Sequence, residues 1–341
     1  MMKAVRCEPV KTIPIWLMRQ AGRYMQEYQQ VRSRVSFLEL CKRPELAAEV
    51  MLTAVKRLGV DAAILFSDIL LILEPMGFQL EFAPEGGPRI DNPIQKPEDV
   101  DRVRELLTAE PLDFVMDAVR YTREGLDSSK PLIGFAGAPF TLAAYMVEGG
   151  GSRNYQNVKA FMHLYPEKWN ELMRRIAIST ARYLNAQIDA GVQIVQIFDS
   201  WVGTVSEEDY KKYVQPHSRT LIELIRPGTP VIHFAPGNPM LLPLVCEAGG
   251  NVFGVDWRIG INRAWEIIGR KHAIQGNMDP SILLTDRETI RRHVQHIIRQ
   301  VDRHPGFIFN LGHGITPQTP VDNVIALVDM VHELGQVSSC S

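Results

Sequence analysis

Eight short runs of apolar residues recur along the chain, and most are followed by a stretch of different period. They are IPIWLM (13–18), AAILFS (62–67), PLIGFAG (131–137), QIVQIFDS (193–200), PVIHFAP (230–236), NVFGVDW (251–257), HAIQGNM (272–278) and GFIFNLGH (306–313). Each is short and mostly continuous in apolar side chains. Strands covered on both faces have this pattern, and it favours a parallel sheet. The segments between the runs carry helix signals. Over 44–58, Pro44 suits a first helical turn and Gly59 a stop, with Leu46, Val50, Met51, Ala54 and Leu58 on one face. Over 166–190, Pro166 opens and Gly191 closes, with an apolar stripe of Trp169, Leu172, Met173, Ile176, Tyr183 and Leu184. Ser206 with Asp209, Thr285 with Glu288 and Thr319 with Asp322 predict capping boxes. Pro216 has no N–H to donate and should kink or break the helical stretch 206–226.

Eight strands alternating with helices predict an α/β protein: one (β/α)8 TIM barrel over residues 1–341, with a doubly wound sheet as the structural alternative. The longest connection, 68–130, holds the Gly/Pro-rich PEGGPRIDNP (84–93) and reads as an insertion in one domain. The length of 341 residues suits a barrel with insertions.

In such barrels chemistry sits at the carboxyl ends of the strands. Those ends carry Arg19 and Arg23, Asp68, Asp199 and Ser200, His233, Asp256 with Arg258, Asn277 with Asp279, and His313. MRQAGRYM (18–25) sets two arginines four apart around Ala21 and Gly22. A guanidinium fork matches a carboxylate in two-bond geometry, and glycine admits close backbone approach. A surface salt-bridge cluster is the plainer alternative. Asp68 in FSDIL follows an apolar strand and could gather N–H donors or simply cap the next helix. Tyr145 lies on a short helical piece in GFAGAPFTLAAYMVEGGG (134–151) and, taken alone, fits a core role better than a catalytic one. His313 stands between two glycines in NLGHGITP (310–317), as a ligand-facing imidazole or an incidental one in a hinge.

Composition removes several classes. The formal charge is −2, from 37 basic and 39 acidic residues, with no basic stripe for nucleic acid. Cys7, Cys41, Cys246 and Cys340 match no zinc or redox spacing. Asp199, His233 and Asp256 lack the spacing of a metal site, so no metal is expected. The N-terminus lacks a signal-peptide core and no apolar run approaches the roughly 20 residues of a membrane span, which points to a cytoplasmic protein.

Taken together, PIWLMRQAGRYMQEY, ILFSDIL, GFAGAPFTLAAYMVEG, QIFDSWVG, GVDWR, QGNMDP and NLGHGITPQTPVDNV resemble the uroporphyrinogen decarboxylase family along nearly the whole chain, in order. The resemblance implies a (β/α)8 barrel that removes carbon dioxide from the four acetate side chains of uroporphyrinogen, giving coproporphyrinogen. It implies no metal or organic cofactor and a homodimer with facing mouths; the charge and hydropathy already led to the expectation of no nucleic-acid or membrane partner. By the same resemblance Arg19 and Arg23 bind substrate carboxylates, and Gln20, Ala21 and Gly22 complete that loop. Asp68 gathers the pyrrole N–H groups, while Tyr145, Ser200 and His313 make further substrate contacts. Asp68, Arg19, His313 and Tyr145 are then the expected catalytic group. Asp199 and Trp201 stand where some members carry other residues.

The chemistry fits these residue types. A pyrrole protonated beside its acetate becomes an iminium-like cation and can accept the electrons left by departing carbon dioxide. A fixed carboxylate facing the ring nitrogens would stabilise that cation. Histidine titrates near neutrality and is the more natural acid on reference values, whereas a guanidinium is a poor one. The donor is left among His313, an Arg19-linked group and a bound water. Two rivals remain. A zinc methyltransferase of the same superfamily would need a His-x-Cys pair, but Phe234 and Ala235 follow His233. A non-catalytic tetrapyrrole carrier would need only the arginine loop.

Overall fold

A computed structural model describes residues 1–83 and 87–337, so Pro84–Gly86 of the Gly/Pro-rich stretch and Cys340 lie outside the described residues. The strands are β1 (Ala63–Ile64), β2 (Leu80–Ala83), β3 (Gly87–Ile90), β4 (Leu132–Gly137), β5 (Ile194–Phe198), β6 (Val231–Phe234), β7 (Val252–Gly254), β8 (Ala273–Met278) and β9 (Phe307–Leu311). Seven of them form one parallel sheet in the order β1-β4-β5-β6-β7-β8-β9. The order follows the chain without reversal. A doubly wound sheet needs a switch point where the order turns back, so that alternative fails.

The sheet curls. Gln196 on β5 and Gln275 on β8 are three strands apart, about 14 Å along a flat sheet at the usual strand spacing. Their amides nonetheless hydrogen-bond at 3.2 Å, and Gln275 accepts from the Trp16 indole at 2.8 Å. All three are buried, so this polar chain crosses the interior with its donors and acceptors paired.

Segment 13–18 differs from the expected regular strand. It is extended and buried but pairs only through isolated bridges, Ile15 lying parallel to Phe309. On the β9 side, Phe309 N–H donates to Pro14 O at 2.9 Å and Trp16 N–H to Phe309 O at 3.4 Å. On the β1 side one backbone bond and two side chains stand in for the ladder. Asp61 N–H donates to Ile15 O at 2.8 Å, and the Asp61 carboxylate accepts Ile15 N–H at 2.8 Å. Gln20 reaches Ala62 O at 3.1 Å.

Helices Pro44–Leu58 and Pro166–Ala190 form as predicted, with proline in the first turn and positive φ at Gly59 and Gly191. The predicted apolar stripe of the second is wholly buried. Pro216 acts as expected: a π turn over Tyr210–Val214 interrupts the stretch, and the helix restarts at Gln215–Glu223 with Pro216 in its first turn. Ser206 accepts from Asp209 N–H, one half of the predicted box, without a return bond from Ser206 N–H to the Asp209 carboxylate. The other two caps are corrected. Asp286, one residue later than Thr285, caps helix Arg287–Val301 by accepting from Thr289 N–H at 2.8 Å. Pro320 takes the cap position before Val321–Leu334, and Thr319 bonds Thr316 instead. Asp is at least as good a cap as Thr, and its carboxylate suits the positive end of a helix. The insertion contains an antiparallel β2–β3 hairpin that docks on the Gly149 turn, with Ile90 N–H donating to Gly149 O at 2.8 Å. No described helix is long and apolar enough to cross a membrane, and Cys7, Cys41 and Cys246 are free thiols.

His332, on the C-terminal helix, meets the Asp61 carboxylate at 2.8 Å. Burial alone would raise the Asp61 pKa, but hydrogen bonds from His332 and Ile15, with the charges of His332 and Lys130, bring it below the ordinary 3.8. The Asp61 hydrogen bond raises His332 above 6.5 against burial. The Asp61 contribution is present above pH 3.8 and is lost as pH falls through its lowered value. The His332 contribution is present below pH 6.5 and is lost as pH rises through its raised value. Replacing Asp61 by Asn should therefore cost about 1–2 kcal/mol, since both groups are one-third exposed and screened. Denaturant melts at several pH values should show the loss largest between pH 3.8 and 6.5; a pH-independent difference would contradict this coupling.

Candidate active site

One cavity of about 900 Å³ opens at the carboxyl ends of β1, β4, β5, β6 and β9 and the end of segment 13–18. All nine residues singled out as site candidates line it: Arg19, Gln20, Ala21, Gly22, Arg23, Asp68, Tyr145, Ser200 and His313. The volume is at the upper end for small-molecule pockets and suits a large ligand.

The arginine loop is braced before it meets anything. Gln20 is fully buried; its oxygen accepts Leu17 N–H at 3.1 Å and its amide donates to Ala62 O. Its side chain therefore holds the loop. Tyr24 donates to Gln20 O at 2.6 Å. Arg19 adopts φ +62°, the left-handed region that costs a non-glycine residue roughly 1 kcal/mol or more. Gly314 leaves room for it: a Cβ there would lie 2.5 Å from Arg19 Cδ. Arg19 and Arg23 are both exposed and have no carboxylate partner among the described residues.

Asp68 follows β1 in a tight turn. Its Oδ1 accepts Leu70 N–H at 2.8 Å, which is a local turn and not a helix cap, since the next 3-10 turn (Leu71–Leu73) has no side-chain cap. Its other oxygen takes no hydrogen bond from the described residues. Burial pushes its pKa up to about 6, with Leu70 N–H and the Arg19 charge pulling the other way. The carboxylate still keeps accessible surface toward the cleft. The upward push is weakest with water in the cleft; a ligand that displaces the water adds desolvation, which N–H groups donated to the carboxylate offset.

Tyr145 sits on helix Pro139–Glu148, edge-on to Trp201 with ring centroids 6.0 Å apart. Burial and the Asp68 charge push its pKa up to about 12, so its O–H stays protonated and can donate. Ser200 is half-buried in the cleft wall. His313 departs from the expectation of a natural acid. Burial first, then the charge of Arg19, lower its pKa, against a raising contribution from Asp256. At neutral pH the ring is uncharged and acts as a neutral donor or acceptor.

The other strand-end residues serve the scaffold. Asp199 is fully buried, accepts from Thr141 at 2.9 Å, and burial pushes its pKa up to about 7. His233 lies inside β6, bonded to Gly249 O, with burial pushing its pKa down to about 4. Asp256 accepts from Gly237 N–H and Arg258. Asn277 donates to Asp256 O and Ile259 O, and Asp279 caps a 3-10 turn. None of these five lines the cavity.

Two sets of lining residues escaped the sequence reading. Arg32 and Arg34 add positive charge, with Arg32 bonded to Val35 O and its guanidinium over the Phe37 ring. The paired arginines of VRSRV (31–35), two apart where Arg19 and Arg23 are four apart, were a signal for them. The second set is aromatic. Phe135, Phe198 and Phe234 run edge-to-face along one wall, and Phe66, Phe37 and Phe82 along another. The cleft thus combines a cationic rim, apolar walls and two carboxylates: Asp68, within the field of Tyr145 and Arg19, and the exposed Glu39, whose carboxylate is engaged by Ser36 N–H in a capping box. No group of three metal-ligating side chains occurs among the described residues.

Comparison with known proteins gives this arrangement its context. The family model described as uroporphyrinogen decarboxylase (URO-D) matches residues 1–334. A protein named uroporphyrinogen decarboxylase from Carboxydothermus hydrogenoformans is 53% identical over 99% of this chain and 97% of its own. One of the same name from Sorangium cellulosum is 49% identical over the same shares. The solved structure of a methyltransferase from Methanosarcina mazei superposes with a TM-score of 0.79 over 97% of this chain and 96% of its own. At 22% identity that likeness concerns the fold alone. With half of its residues shared over nearly the full length of such relatives, the chain belongs to the uroporphyrinogen decarboxylase family of carboxy-lyases.

Proposed function

We propose that the cleft binds uroporphyrinogen with its ring nitrogens toward Asp68 and its outer carboxylates toward the arginines, and converts each acetate to a methyl group. The observation that carries this reading is the shared cavity. Asp68 lies inside an aromatic-walled cleft whose rim bears Arg19, Arg23, Arg32 and Arg34. A flat macrocycle edged with carboxylates has the complementary layout.

In each step the ring carbon bearing the acetate takes a proton, which makes the pyrrole an iminium-like cation. The bond to the carboxylate carbon breaks, its electron pair returns to the ring, and carbon dioxide leaves. The exocyclic methylene left behind takes a proton as the ring carbon gives one up. The net change is one proton consumed and one carbon dioxide released. The pyrrole is its own electron sink in this scheme, so the protein's part is electrostatic. The Asp68 charge stands where the cation develops and needs no reorganisation. Arg19 and Arg23 hold non-reacting carboxylates, neutral His313 and Tyr145 donate hydrogen bonds to others, and Ser200 adds a hydroxyl. The phenylalanine walls desolvate the reacting carboxylate and favour its conversion to neutral carbon dioxide.

The same reading takes segment 13–18 as the eighth stave of a closed (β/α)8 barrel in a single domain. Its hydrogen bonds to Phe309 on one side and Asp61 on the other support this. Homodimer and independence of any cofactor are carried over from the family resemblance, and cytoplasmic location from the sequence reading, as parts of the proposal.

Asp68→Asn should lower kcat by about 10²–10³, the scale of losing one preorganised electrostatic partner. Its melting temperature at neutral pH should match or exceed wild type. Burial raises the Asp68 pKa, so the ionised form costs the fold stability above about pH 6. Near-wild-type turnover in this variant would remove Asp68 from the mechanism. In the native enzyme kcat/KM should fall as pH drops through about 6, where the carboxylate gains its proton. That limb should vanish from the residual activity of Asp68→Asn, and a limb that persists would assign it elsewhere. Arg19→Ala and Arg23→Ala should each weaken substrate binding by about 1–2 kcal/mol, roughly 5–30-fold, because both cations are exposed. Anaerobic incubation with uroporphyrinogen, followed by mass spectrometry, separates enzyme from carrier: stepwise loss of carboxyl groups is expected, and binding without mass change would overturn the catalytic reading.

A further inference from the structure

Asn310 lies in β9 with no accessible surface. Its Oδ1 accepts two backbone N–H groups, from Met18 at 3.2 Å and from Leu311 at 2.8 Å. Two donors on one atom fix the orientation of the amide, because only the oxygen can accept. The Nδ2 group has no partner. An unmet buried donor weakens a fold, and an apolar side chain of the same shape would avoid it. The oxygen's two bonds are what this position gains in return.

Those bonds join two loops of the cleft, the arginine loop and the loop that carries neutral His313. Met18 precedes Arg19, and Leu311 stands two residues before His313. The junction is doubled by Ile315 N–H, which donates to Met18 O at 3.0 Å. The Arg19 stem rests against the bare backbone of Gly314, where a Cβ would lie 2.5 Å from Cδ. Arg19 itself is held in the left-handed region at φ +62°, which persists only where the surroundings over-determine it. Gln20 and Tyr24 fix the downstream side of the loop; Asn310 fixes the upstream side.

We infer that Asn310 is a positioning residue for the decarboxylation, setting the place of Arg19 relative to His313 and therefore to the carboxylates bound between them. It touches no substrate atom and acts through the backbone of Met18. The inference rests on the proposed binding role of Arg19.

The test uses full-length Asn310→Leu and Asn310→Asp, each alone and combined with Arg19→Ala, assayed for kcat, KM and melting temperature. Asn310→Leu removes the acceptor at similar volume and should lower kcat/KM by about 5–30-fold, no more than the loss of Arg19 itself, through which it acts. Asn310→Asp keeps accepting oxygens and should recover most of that loss, which a merely structural role would not require. In the Arg19→Ala background, Asn310→Leu should cost far less, because both changes remove the same contact. A folded Asn310→Leu enzyme with unchanged kcat/KM, or an undiminished loss on top of Arg19→Ala, would overturn the inference. If the leucine variant does not fold, Asn310→Ser, too short to reach both N–H groups, takes its place with the same expected and overturning results. Failure of the underlying reading shows separately, as unchanged kinetics in Arg19→Ala alone.

Discussion

A carboxylate set among phenylalanine rings is the interaction on which the rest of this cleft depends. Burial disfavours the charge of Asp68, and only one backbone N–H and the neighbouring Arg19 favour it. Left there, it is poised to gain interaction energy when a cation forms nearby, because it has few partners to give up. The arrangement depends on Arg19 staying in place, which explains how much of the surrounding structure is spent on that loop. Gln20, Tyr24, Asn310 and Gly314 all brace it or make room for it.

The scaffold places these groups by winding strands in chain order, so that loops distant in sequence share one mouth. Arg19 and His313 are nearly the length of the chain apart, yet they meet because segment 13–18 lies along β9. The seam on its other side is made by one backbone bond and two side chains in place of a regular ladder, with Asp61 and Gln20 satisfying backbone groups that a strand pair would have satisfied. The buried Trp16–Gln275–Gln196 chain ties that segment across the interior.

The strands were legible because a parallel sheet buried on both faces writes continuous apolar runs, and the two long helices because proline and glycine mark their ends. What escaped had physical causes. Segment 13–18 reads as a strand by composition, but pairing is a tertiary property and the sequence does not show where the ladder is interrupted. Thr285 and Thr319 carry the right chemistry for caps, yet Asp286 and Pro320 lie one residue closer to the helices that form. The β2–β3 hairpin was hidden under glycines and prolines. In the site, residues of the loop motifs converged, while His233, Asp199 and Asp256 proved to satisfy buried backbone and side-chain groups. A polar residue at a strand end can face the mouth or the wall, and side-chain direction is not written in spacing. The phenylalanine walls escaped for the same reason: an aromatic residue can face the core or the cleft.

The most direct test of the central claim is a crystal structure of the protein with coproporphyrinogen, grown anaerobically. The account predicts the Asp68 carboxylate about 3 Å from the inward pyrrole nitrogens, within hydrogen-bonding range, with the arginines on the outer carboxylates. A macrocycle bound with its nitrogens away from Asp68, or an Asp68 turned into an ion pair with the rim, would contradict it.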